Sequence, residues 1–88
     1  MTLAALPTAV RETVADRVRR LQAEAQHLAR GHVDSLVDMM RATAATAAEI
    51  ADGGDAYGPG ARNEARTLAE DLARRIETLT AIQGRARS

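Results

Sequence analysis

Eighty-eight residues bound the chain to one small domain, and 12 Lys+Arg against 12 Asp+Glu leave no basic excess for gripping a phosphate backbone. The absence of cysteine excludes disulfide scaffolds, thiolate metal sites and cysteine nucleophiles. The apolar fraction of 45% overstates the core: twenty of those residues are alanine, and there is no Phe or Trp.

Leu, Val, Ile and Met must therefore supply the core, and for a chain this short a core alone contributes only about 3–5 kcal/mol. Either helices approach closely on alanine, or further surface is buried by self-association or a partner. Association is the expectation. All twelve cations are Arg. A GC-rich bacterial genome accounts for that usage, and bidentate or stacking contacts at an interface are the functional alternative.

The first element in chain order is a long helix predicted over 8–52. Pro7 and Thr8 make a start signal, because proline lacks the N–H that would go unpaired in a first turn and threonine can accept one. Val10, Val14, Val18, Leu21, Ala25 and Leu28 then recur at steps of three and four, with Arg11, Asp16, Arg19, Arg20 and Arg30 mostly off that face.

Near Gly31 the pattern changes. Val33, Leu36, Val37, Met40, Ala44, Ala47 and Ala51 form a stripe turned by roughly 90° from the first, at about 100° per residue. Two readings fit. The helix splits at 30–34 and restarts with Ser35 and Asp38 as an S-x-x-D cap, giving three helices of similar length. Alternatively it continues, its halves facing different neighbours; glycine's modest penalty of about 1 kcal/mol favours this reading. Uninterrupted, the helix would span about 67 Å, at 1.5 Å per residue, and a 23-residue partner would cover only about half of it. The small residues of TAATAAEIA are read first as good helix formers, with a close helix–helix seam as the alternative.

The stretch DGGDAYGPG supplies the turn, 53–60. Glycines close one helix and Gly58-Pro59-Gly60 opens the next, with Tyr57 expected to fold over the open end of the hairpin. A second helix is predicted over 61–83, on the stripe Ala61, Ala65, Leu68, Leu72, Ile76 and Leu79, with 84–88 as a frayed tail.

Chemistry finds little material. Asp52 and Asp55 lack the ligand spacing of a calcium loop. His27 and His32 project about 140° apart on one helix and do not share a metal within a chain. No nucleophile elbow or phosphate-binding loop is present. The arginine pairs Arg62/Arg66 and Arg17/Arg20 share helix faces, but Glu64, Glu70, Asp71 and Glu77 are interleaved through the second helix as on a solvated face. An enzyme is not expected, nor is a cofactor or metal.

The sequence thus predicts an all-α antiparallel helical hairpin, one domain over 1–88, dimerising into a helical bundle. The expected function is a non-enzymatic interaction module, a self-associating adaptor or regulator that binds another protein through a helix face. Val14, Val18, Leu21, Leu28, Leu36, Met40, Leu68, Leu72, Ile76 and Leu79 are the candidates for self-association, with Met39 and Tyr57 as candidate partner contacts. The alternative is a dimeric DNA-associated regulator using clustered arginines. Pro7 and the lack of a basic start argue against a signal peptide, and no run approaches the roughly 20 apolar residues of a membrane span. The expected location is the cytoplasm of a bacterium.

Overall fold

The computed structural model describes residues 11–87, in which two long helices are joined by a tight turn and no strand occurs. Helix α1 spans Val14–Ala51, a 3-10 turn follows at Gly54–Ala56, and α2 spans Pro59–Arg87. The expected Pro7–Thr8 start lies outside the described residues. Within them, residues 11–13 are not helical and α1 begins six residues later than predicted.

Its start is fixed by a reciprocal cap. Asp16 N–H donates to Thr13 Oγ1 at 3.0 Å, and Thr13 N–H donates to Asp16 Oδ2 at 3.3 Å. Two backbone donors that a helix end leaves orphaned are thereby satisfied. Helix α1 then runs without interruption through 30–34. Ser35 is accordingly not a cap: its hydroxyl donates to the Gly31 carbonyl at 3.1 Å, four residues back.

The chain divides into two units at the step from Arg30 to Gly31. The described part of the first unit is the beginning of α1 and the residues leading into it. Here Glu12, ahead of the helix, binds Arg20 Nε at 2.9 Å, while Arg20 also reaches Glu24 at 3.3 Å. Arg19 pairs with Asp16. These pairs lie on the surface, and their role is to hold the chain against the first turns of the helix rather than to supply much stability.

In the second unit, residues 31–51 of α1 and the whole of α2 pack antiparallel as a hairpin. The seam is formed by the buried and half-buried residues Val33, Val37, Met40, Ala44, Ala47 and Ala51 on α1, and Arg62, Ala65, Ala69, Leu72, Ile76, Leu79 and Gln83 on α2, with Asp34, Ala48, Ile50 and Asp71 half-buried beside them. Steps of four and three alternate on both helices, a period of 3.5 that keeps two helices in contact along a seam. Alanines dominate its turn-proximal half, which lets the backbones approach closely there. Here the sequence reading of α2 was one residue out at two of its six positions. The seam takes Arg62 and Ala69 where Ala61 and Leu68 were expected, and it keeps Ala65, Leu72, Ile76 and Leu79. Leu68 is left on the flank, 45% exposed. The helix also outlasts its predicted end: 84–87 continue it instead of fraying.

Both ends of the hairpin are pinned by polar contacts. At the turn, Arg66 Nη2 donates to the Ala51 carbonyl at 3.0 Å, supplying a partner for one of the last carbonyls of α1. At the far end, Gln83, only 7% exposed, donates from Nε2 to Asp34 Oδ1 at 3.0 Å. A part-buried hydrogen bond of this kind favours one register, because slippage would break it.

Candidate interaction surface

The turn is built around two glycines with different tasks. Gly54 has φ of 65°, a left-handed conformation that a side chain disfavours. Gly53 is needed for space: a Cβ there would stand 2.3 Å from Tyr57 Cε2. The Tyr57 ring therefore lies against the Gly53 backbone at the turn, and it remains 41% exposed. Beside it, Arg62 Nη2 approaches Asp55 Oδ1 at 3.9 Å, while Arg62 Nε is buried with no hydrogen-bond partner.

Large apolar groups stand on the surface in both units. In the first, Val14, Val18, Leu21 and Leu28 are all exposed, Val14 by 82% and Leu28 by 72%. Together with Ala25 they keep one face of the helix, at steps of four and three. A face of this kind on a helix normally packs against another element, and Val14 and Leu28 are the most exposed large apolar side chains among the described residues.

In the second unit the two flanks of the hairpin differ in chemistry. One flank is polar, with Asp34, Asp38, Arg41, Thr80 and Gln83 around its shallow depression. The other is apolar. Thr43, Thr46, Ala47 and Ile50 of α1 face Ala65 and Leu68 of α2 in one hollow, and Leu36 and Met40 meet Leu79 in the next. Thr43 and Thr46 add to this apolar character. Their hydroxyls donate to the Met39 and Ala42 carbonyls of their own helix, at 2.9 and 3.3 Å, so their polar atoms are already satisfied. Asp71, Arg74 and Arg75 rim the second hollow, Asp71 accepting from Arg74 at 2.8 Å and from Arg75 at 3.2 Å. The guanidinium of Arg75 and then that of Arg74 hold the Asp71 carboxyl below its ordinary range.

The ten self-association candidates thus fall into three settings. Val14, Val18, Leu21 and Leu28 lie on the exposed face of the first unit; Leu36 and Leu68 lie on the apolar flank of the second; Met40, Leu72, Ile76 and Leu79 are half-buried in the hairpin seam. Met39 is the more exposed methionine, at 61%, and Met40 the inner one. Sequence reasoning missed Ile82, 43% exposed on α2, and the burial of Gln83. A seven-residue step from Leu68 through Arg75 to Ile82 was the available signal for the former; the four-residue step from Leu79 marks the latter, whose polar side chain concealed it.

Among the described residues no group of three or more His, Asp or Glu side chains is placed to hold a metal ion, and no helix is long and apolar enough to cross a membrane. Comparison with protein-family models, with curated proteins and with solved structures finds no match to this chain.

Proposed function

We propose that the chain is a non-enzymatic helical interaction module, a self-associating adaptor or regulator whose business is conducted through helix faces. The observation that carries this reading is the exposed stripe Val14, Val18, Leu21 and Leu28, for which burial against another chain is the ordinary physical explanation. A thin internal core supports it. The described residues that are buried and apolar are Val37, Ala47 and Ala51, two of them alanines, which favours a chain that gains stability by burying more surface in association. Tyr57 and Met39, both exposed, are suited to contact a further protein partner, one by its amphipathic ring and the other by its adaptable thioether.

The DNA-associated alternative draws less support. Arg19, Arg20, Arg74 and Arg75 each have a carboxylate of their own chain as partner, which weakens the positive field that nucleic acid would need.

Light scattering on untagged protein across a concentration series tests the proposal. The expected result is a mass of two chains at micromolar concentration. A cooperative, fully helical monomer throughout the series would overturn it.

A further inference from the structure

The apolar face of α1 can be followed by spacing alone along the whole helix. Starting from His32 and stepping by four, three, four, three and four toward the N-terminus gives Leu28, Ala25, Leu21, Val18 and Val14. The same steps toward the C-terminus give Leu36, Met39, Thr43, Thr46 and Ile50. The stripe is therefore a palindrome in position, centred on His32. All of it is exposed except Ile50, which is half-buried.

We infer that two copies of the chain pair antiparallel through this stripe, with the molecular two-fold axis at His32. The inference rests on the self-associating reading above and specifies its partner, register and direction. A two-fold axis perpendicular to a helix maps each residue onto one at the same distance on the other side of the axis, and only a stripe with mirrored spacing puts apolar on apolar throughout. Here Leu28 meets Leu36 of the partner subunit, and Val14 meets the partner's Ile50. Leu21 meets the partner's Thr43 and Val18 the partner's Thr46, both methyl-bearing, and His32 on the axis meets its own copy. The exposed face of each first unit is thereby seated on the apolar flank of the other chain's hairpin, where Leu68 and Leu79 of α2 stand beside the α1 residues. Each covers what the other leaves bare.

Size and charge agree with this register. On the side of the stripe that would turn toward α2 of the second copy, the flanking residues are Ala15, Gln22 and Ala29, small or uncharged, so that helix can come close. On the opposite side, Arg17 falls two positions from register with Glu49 of the partner subunit, the offset at which flanking side chains meet in an antiparallel pair. Both residues are exposed. A parallel pairing would instead set Arg17 beside Gln22 of the partner subunit and lose the opposite-charge pair. Charge thus favours the antiparallel direction, and spacing sets its register.

The absence of cysteine makes the test direct, because each introduced thiol is the sole one in its chain. His32, Leu21 and Thr43 are all exposed, so single substitutions there leave the hairpin core untouched. Under mild oxidation His32→Cys should form a disulfide-linked dimer in high yield. Leu21→Cys and Thr43→Cys should cross-link weakly alone and efficiently when the two proteins are mixed. Arg17→Glu should weaken the dimer about 2–5-fold, as expected for a partly exposed pair, and adding Glu49→Arg should recover it. A dimer in which Leu21→Cys links to itself, and the mixture gains nothing, would overturn the register while leaving self-association intact. A monomer by light scattering would remove both.

Discussion

Asp16 shows how much a single side chain does at the start of α1. It accepts the Thr13 N–H, its own N–H is bound by the Thr13 hydroxyl, and its carboxylate pairs with Arg19. Thr13, and after it Arg19, hold its carboxyl below the ordinary range. A depressed carboxyl contributes stability that is present above its ordinary pKa and lost as pH falls through the folded one. The start of α1 is therefore expected to hold its helicity at neutral pH and lose it on acidification below the usual carboxylate range. In Asp16→Asn the neutral-pH helicity should already be lower, and the two proteins should converge in acid. Circular dichroism of parent and variant from pH 7 to pH 2 reads this; curves that stay parallel would show that the carboxylate is not the active part of the cap. Other residues bear only on the folded hairpin. Arg66 binds the last carbonyl of α1 from α2, a long-range contact that no local sequence signal announces.

The elements were legible in proportion to how local their signals are. Glycine and proline at 53–60 marked the turn, because a left-handed φ at Gly54 and a missing N–H at Pro59 are properties of one residue each. The helical stripes of large residues were equally plain. What went astray depended on competition or on the partner helix. Thr13-Val14-Ala15-Asp16 is a capping box in sequence, yet Pro7–Thr8 offered an earlier start. The seam position of Ala69 was hidden because alanine carries little hydrophobic signal, so Leu68 beside it drew the assignment. Gly31 illustrates a choice that magnitude decided correctly, since one glycine did not stop the helix. A Cβ added there meets nothing within 4 Å and the backbone is helical. Gly31→Ala should therefore stabilise the protein by about 1 kcal/mol and raise its melting temperature by about 4–8 °C. A variant that melts at or below the parent temperature would mean that the glycine serves a contact outside the single chain.

At the scale of the whole molecule, burial and exposure oppose each other. The hairpin seam is closed by alanines near the turn, by Val37, Leu72, Ile76 and Leu79 farther along and by two polar pins, while Val14, Val18, Leu21, Leu28, Leu36 and Leu68 stand outside it. Burying apolar surface contributes roughly 25 cal/mol per Å², and alanine offers little surface to bury. A chain that exposes Val14, Leu21, Leu28, Leu36 and Leu68 thus leaves that contribution unrealised at these positions, unless a second copy covers them. Folding and association would then be linked, and stability would depend on protein concentration by mass action. A hundredfold rise in concentration should raise the melting temperature by about 5–10 °C for a dimer of this chain length. Leu28→Glu, on an exposed position that a single chain does not bury, should abolish that dependence while preserving helicity at low concentration. The informative comparison is between the two slopes. A parent protein whose melting temperature is independent of concentration would place its stability within one chain, and the exposed stripe would then have to be explained by a different protein partner.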